Sequence, residues 1–155
     1  MSTSRIRGSY NVGRLRIAIA REGTDVYPSP RVESPAAAAD LFIKTSPDDG
    51  REHFRALFLT ARHIPIGVHT VSVGCLTASL VHPREVFRPA ILSGSAAIVI
   101  THNHPSGDPE PSAEDLALTR RLVAAGTLLG IELLDHVITG DGTARWVSLK
   151  DRGQI

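Results

Sequence analysis

At 155 residues the chain has room for one domain with a hydrophobic core of its own. Its 42% apolar and 21% charged content is that of a soluble globular protein, and a net charge of +1 without any Lys/Arg run gives no sign of a nucleic-acid surface or a membrane patch. A single cysteine, Cys75, excludes an intrachain disulfide and fits a reducing compartment.

The opening "MSTSRIRGSYNVG" lacks the apolar centre of a signal peptide, and no apolar run approaches membrane-spanning length, so the expectation is a soluble cytoplasmic protein. "RLRIAIAREG" (Arg14 to Gly23) alternates charged and apolar residues, which predicts an exposed or edge strand. "YPSPRVESP" (Tyr27 to Pro35) holds three prolines in nine residues and reads as an extended connector. Residues 1–33 are accordingly an N-terminal strand-like extension with its proline-rich connector, and 34–155 the domain proper. Ser34, with Pro35 at the first helical position, opens a helix through "AAAADLFIK" that the turn "SPDDG" closes.

From Arg51 the pattern alternates between strands and helices. "HFRALFLTA" predicts a strand, and "VHTVSVG" a second one after a break at Ile64-Pro65. "HPREVFRPAILSG" has apolar residues at helical spacing and a glycine stop. "AAIVITH" is a continuous apolar run, the mark of a strand buried on both faces. Ser112 begins a helix through "AEDLALTRRLVAAGTLLG", with Leu116, Leu118, Leu122, Val123, Leu128 and Leu129 expected to face the core. "IELLDHVIT" predicts a strand, and "GDG" a tight turn into "RWVSL". Alternation of this kind implies the α/β class, a mixed sheet flanked by helices in three layers.

The chemistry concentrates in "THNHPSGDPEPSAED". His102 and His104 stand two apart at the carboxyl end of the buried strand, so both imidazoles point to one side and can reach one point. Asp115 follows after ten intervening residues, in the first turn of the next helix and close to that strand end. Two imidazoles and one carboxylate with a fourth position open is the catalytic rather than the structural arrangement for zinc. A second reading stands beside it: "SAED" fits a capping box, with Ser112 bonding the backbone and Asp115 reaching back to the cap amide. In "LLDHVIT", Asp135 and His136 alternate in direction. A hydrogen-bonded core pair is the expectation for them, and support of a ligand imidazole the alternative. Asp108 reads as a turn residue at the mouth of the site, Cys75 as a small core residue, and His53, His63, His69 and His82 as ordinary histidines.

"HNHPSGDPEPSAED", "LLDHVITGDG", "TVSVGCLTASLVHPREVFRPAI" and "REHFRALFLT" closely resemble the RadC-type branch of the JAB/MPN (JAMM) metalloproteases, over roughly Ser34 to Lys150. The resemblance implies a cytidine-deaminase-like three-layer α/β fold and one zinc per chain held by His102, His104 and Asp115. It places the family's catalytic glutamate at Glu52, with Ser112 as donor to an oxyanion, and points to cleavage of a peptide or isopeptide bond in a protein or peptide substrate. Many RadC-type proteins carry an N-terminal helix-hairpin-helix module, and the first fifty residues here do not look like one. The competing functions are a catalytically silent interaction module of the same fold, or a DNA-processing factor as the family name suggests. The retained ligands favour the enzyme over the first, and the near-neutral charge speaks against nucleic acid. "HNH" within this string is not the nuclease motif of that name, whose residues are spread over a longer unit. Related domains often pair, so a homo-oligomer is allowed for.

Overall fold

Ala97, Ile98, Val99 and Ile100 are all buried, as a strand covered on both faces requires, and the sheet is built around them. The structure, a computed structural model, describes residues 15–23, 31–74 and 81–155. In chain order the elements are α1 (Pro35–Lys44), β1 (His53–Leu59), β2 (Pro65–Val73), α2 (Pro83–Leu92), β3 (Ala97–His104), α3 (Ala113–Leu129), β4 (Glu132–Gly140) and β5 (Trp146–Ser148). They form a five-stranded sheet of order β2-β1-β3-β4-β5. Only the β3–β4 pairing is parallel; β1 runs antiparallel to both β2 and β3, and β5 antiparallel to β4. The fold is therefore α/β with a mixed sheet, as the alternating pattern implied.

Period-two alternation divides the core into two layers. Phe54, Ala56, Phe58, Ile98 and Ile100 face one way, into a cluster with Val86 and Phe87 of α2 and Leu118 and Leu122 of α3. Leu57, Leu59, Val99 and Val137 face the other way, against Ala38, Ala39, Leu41 and Phe42 of α1. Fully burying a side chain such as Phe42 or Leu122 contributes about 1.5–3 kcal/mol relative to leaving it exposed. One buried charge on this side is Arg55 of β1. Its guanidinium donates to the carbonyls of Phe42 (2.6 Å) and Thr45 (2.9 Å), satisfying the last turn of α1 with a cation where the helix dipole is negative. At the other end of α1, Ser34 accepts from the Ala37 amide at 3.1 Å with Pro35 next to it, the cap read from the sequence.

Three local expectations are corrected. Leu15–Gly23 form no strand: Leu15, Ile17 and Ile19 are exposed, and alternation makes a strand only where a neighbouring backbone takes up the hydrogen bonds. β2 starts at Pro65, three residues before the predicted Val68, because an edge strand tolerates proline as its first residue. In α3 the buried stripe is Asp115, Leu118, Thr119, Leu122 and Gly126, while Leu128 and Leu129 are exposed and Leu116 and Val123 only half-buried. Gly126 lies against Phe87 and the Ile131 carbonyl, which leaves no room there for a larger side chain. Cys75, the proline-rich residues 27–30 and the first fourteen residues lie outside the described part of the chain.

Candidate metal centre

Strand direction brings the site together. Because β1 is antiparallel to β3, with Phe54 opposite His102, the residue just ahead of β1 sits at the carboxyl end of β3. That residue is Glu52, two positions before Phe54 and so on the same face as His102. β3 runs through His104, which keeps both imidazoles on one strand and one face. α3 starts after the proline-rich loop, so its first turn and Asp115 return to the same edge.

The resulting distances are short. His102 Nε2 lies 2.9 Å from His104 Nε2, 3.2 Å from Asp115 Oδ1 and 3.9 Å from Glu52 Oε1, and His104 Nε2 lies 3.6 Å from Asp115 Oδ2. Ligand atoms of Glu52, His102 and His104 all fall within 4.8 Å of one another, a group able to hold a metal ion. Asp115 stands outside that group of three, yet it is closer to each imidazole than Glu52 is to His102. The expected ligand set and this group share the imidazole pair and differ in which carboxylate joins it. The capping box is formed as well: Asp115 Oδ2 accepts from the Ser112 amide (2.7 Å) and hydroxyl (2.8 Å), and Ser112 Oγ accepts from the Asp115 amide (3.1 Å). The two readings of Asp115 are therefore compatible, since Oδ2 serves the cap while Oδ1 faces His102.

Counting donors decides what this cluster is short of. Thr119 Oγ1 is 2.7 Å from the Asp115 carbonyl, which can only accept, so the single hydroxyl proton goes there. His136 Nδ1, 2.6 Å from the same hydroxyl oxygen, must then carry a proton and donate it. His136 is fully buried, and burial together with the neighbouring His102 pushes its pKa well below 6.5, so the ring is neutral and its Nε2 is a lone pair. That lone pair, 2.9 Å from His102 Nδ1, takes the proton of His102 and leaves His102 Nε2 as the free acceptor. His104 follows the same logic, because Nδ1 is 2.7 Å from the Asp108 carbonyl and must donate to it. With both rings neutral, two imidazole lone pairs and a carboxylate thus converge on one point, with Glu52 close by. Such a convergence calls for a cation, and the donors are those zinc prefers.

The electrostatics respond in that direction. Burial pushes the Asp115 carboxyl up, but hydrogen bonds from His102 and His104 outweigh it and hold the group below the usual carboxylate range. Asp115 in turn raises the pKa of His104 above 6.5, against the opposing effect of partial burial. Without a metal, a proton takes up the same attraction.

Of the residues singled out from sequence, Glu52, His102, His104, Ser112 and Asp115 all meet at this edge. Asp135 and His136 face opposite sides of β4 and are both buried and hydrogen-bonded, as expected, with the His136 amide donating to Asp135 Oδ1 at 2.7 Å; His136 also fills the alternative role of supporting a ligand imidazole. His136 supports His102, while Asp135 accepts from Ser148 Oγ (2.6 Å) and the Lys150 amide (3.1 Å). The run Thr119-Arg120-Arg121 suggests a solvent-facing stripe, but only the two arginines are exposed and Thr119 is fully buried; four residues past Asp115 on a helix is the signal that could have found it. Asp108 contributes its carbonyl to His104, and its carboxylate accepts from Arg145 at 3.3 Å. Of the histidines left as ordinary, His82 caps α2 by accepting from the Arg84 amide at 3.2 Å.

Comparison with known proteins places these features in a group. The sequence profile of the family described as RadC-like JAB domain matches residues 32–154. A UPF0758 protein of Shouchella clausii is 51% identical over 124 residues, covering 80% of this chain and 53% of that protein. A UPF0758 protein of Desulfitobacterium hafniense is 45% identical over 148 residues, 96% of this chain and 62% of the relative, and one of Methanosarcina acetivorans is 39% identical over 98% of this chain and 77% of its own length. The chain thus spans about half to three-fifths of the first two relatives, and the shared label states no activity. Among the described residues, no helix is long and apolar enough to cross a membrane.

Proposed function

This chain belongs to the RadC-like JAB domain family, and from that premise we propose that it is a zinc-dependent hydrolase of the JAMM type, cleaving a peptide or isopeptide bond. The observation that carries the reading is the convergence of the Nε2 atoms of His102 and His104 with the carboxylates of Asp115 and Glu52. A silent scaffold has no need to fix two imidazole tautomers at one point.

His102, His104 and Asp115 would hold the metal. Zinc bound there supplies a Lewis acid that polarises a carbonyl and brings the pKa of water to about 7. Glu52 is half-buried beside the imidazoles, its side chain 18% exposed, and is suited to accept a proton from water and return it to the leaving amine. A glutamate in that role contributes about 10²- to 10⁴-fold to rate. Ser112 is exposed at the lip, and its hydroxyl donates its one proton in a hydrogen bond to Asp115 Oδ2. To stabilise an oxyanion it swings that proton toward the substrate carbonyl, leaving Asp115 with the amide of residue 112 as its remaining cap donor. The substrate class that fits is a protein or peptide with an accessible amide, including one on a lysine side chain.

Native mass spectrometry of the zinc-supplemented chain, paired with cleavage of a panel of linear and lysine-branched peptides, tests the proposal. One zinc per chain and cleavage of at least one panel member that a chelator abolishes are expected. A chain that takes up no zinc, or that cleaves equally well with chelator present, sinks it.

A further inference from the structure

Asn103 lies between the two imidazoles in sequence, but alternation turns its side chain to the opposite face of β3, where it cannot be a ligand. The carboxamide is buried, and its three partners fix its orientation without ambiguity. Oδ1 accepts from the His53 amide at 2.7 Å, and Nδ2 donates to the Arg51 carbonyl at 2.9 Å. The second Nδ2 proton is shared by the Asp141 carboxylate oxygens at 2.9 and 2.8 Å. Asn103 therefore takes the carbonyl before Glu52 and the amide after it, as a peptide group of a neighbouring strand does.

The position matters because the β1–β3 ladder stops at Phe54 and His102. Beyond that pair no strand backbone of β3 holds residues 51–53, and the Asn103 side chain takes its place. On the other flank the Glu52 carbonyl accepts from the Gly74 amide at 2.8 Å. Asp141 completes the unit: its own amide donates to the His104 carbonyl at 3.0 Å, so the group that aligns Asn103 is tied to the strand end carrying the imidazoles. Backbone held on both sides is what keeps a half-buried carboxylate within reach of one point.

We propose that Asn103 is the positioning residue for Glu52, clamping the two peptide groups around it and tying them through Asp141 to the end of β3. The inference deepens the hydrolase reading and rests on Glu52 acting as its base; the clamp itself is independent of any metal.

Two measurements on the zinc-supplemented full chain test it. In Asn103→Ala, hydrogen exchange at the His53 amide should quicken by about tenfold or more, the factor one lost buried hydrogen bond supplies. Amides of the β1–β3 ladder beyond Phe54 should keep their protection. Unchanged exchange at His53, or loss of protection throughout the sheet, overturns the proposal. The second measurement is the affinity of acetohydroxamic acid, a small zinc chelator that needs an acceptor for its proton. Asn103→Ala and Glu52→Gln should each weaken it, and the double variant should lose no more than Glu52→Gln alone. Additive losses would mean that Asn103 acts other than through Glu52. If Asn103→Ala fails to fold, Asn103→Asp paired with Asp141→Asn keeps the volume and the contact between the two positions while deleting the donor to Arg51, and the same non-additivity is expected of it. Failure of the wild-type chain to take up zinc sinks the hydrolase reading, and the exchange measurement still decides the clamp.

Discussion

His136 Nε2 lies 2.9 Å from His102 Nδ1, and the side on which that shared proton sits decides whether His102 can be a ligand at all. With Thr119 fixing the far side of His136 at 2.6 Å, the proton belongs to His102 and the lone pair of Nε2 faces the cluster. Loss of a partner that orients a ligand imidazole typically costs 10- to 100-fold in metal affinity.

Thr119→Val removes the acceptor for His136 Nδ1 while keeping the shape, and His136→Phe removes the ring that takes the proton of His102. Zinc affinity should fall about 10- to 100-fold in each, measured by competition with a chromophoric chelator. Two-dimensional ¹⁵N spectra of the imidazoles offer a check without metal. His102 carries its proton on Nδ1 in the wild-type chain and should populate the Nε2 form in both variants. A His102 ring that keeps one tautomer throughout would show that something other than His136 sets it.

Glu52→Gln keeps the side-chain shape and removes the basicity. One zinc per chain should remain by native mass spectrometry, while turnover of any peptide the wild-type chain cleaves falls about 10²- to 10⁴-fold. His104→Ala and Asp115→Ala should instead release the zinc and leave the α/β core folded by circular dichroism. Retention of zinc in Asp115→Ala with its loss in Glu52→Gln would exchange the two carboxylates, making Glu52 the ligand and Asp115 a cap residue.

Much of the architecture is legible in the sequence. Strand order aside, the apolar run Ala97–Ile100 and the punctuation by Ser34, Pro35 and Ser112 place the central strand and two helix starts, because caps and doubly buried strands leave local signatures. Of the five residues that meet at the site, His102, His104, Ser112 and Asp115 carry a spacing that survives in one dimension, whereas Glu52 is placed by the family resemblance alone. His136 and Thr119 do not: they come from β4 and α3, and only the parallel pairing of β3 with β4, with Ile100 opposite His136, brings that ring beside His102. Leu128 and Leu129 mislead for a related reason. Apolar periodicity cannot tell that the buried stripe of α3 is anchored on a carboxylate, Asp115, and on a threonine, and that it ends at Gly126 under Phe87. The role of Asn103 is equally hidden, since no spacing rule announces a side chain that stands in for a strand.

The metal-free chain should lose stability as pH falls from 7 toward 5. Burial first, and the neighbouring His102 second, hold the folded-state pKa of His136 well below its ordinary 6.5, so the unfolded chain binds a proton that the folded one refuses. Stability from this group is present above pH 6.5 and lost below it, at up to about 1.4 kcal/mol per pH unit. His104 works the other way: its raised folded pKa adds stability that is full below 6.5 and fades as pH rises through that raised value. Asp115, held low by the imidazoles against the burial that raises it, contributes stability that is lost only as pH falls through its depressed folded value, below this window. Urea unfolding with chelator present, compared between wild type and His136→Phe, separates them. The acid-side loss should flatten or reverse in His136→Phe. Identical pH profiles for the two chains would show that His136 is not the group that titrates.

Gly140 ends β4 against the loop that holds His104. A Cβ added there would overlap the Gly107 carbonyl oxygen and come 2.7 Å from its carbon, both backbone atoms that cannot turn aside. Gly107 is tied to the end of β3, its amide donating to the His104 carbonyl at 3.0 Å, and the next residue, Asp108, supplies the carbonyl that holds His104 Nδ1 at 2.7 Å. Gly140→Ala should therefore act twice. It should lower stability by about 1–3 kcal/mol, as overpacking does. By shifting the loop it should also weaken zinc binding in the competition assay. Gly67→Ala is the control, since a Cβ on that glycine of the edge strand meets nothing within 4 Å. If Gly140→Ala is destabilised and still binds zinc as tightly as wild type, the loop is a packing element and His104 is oriented without it.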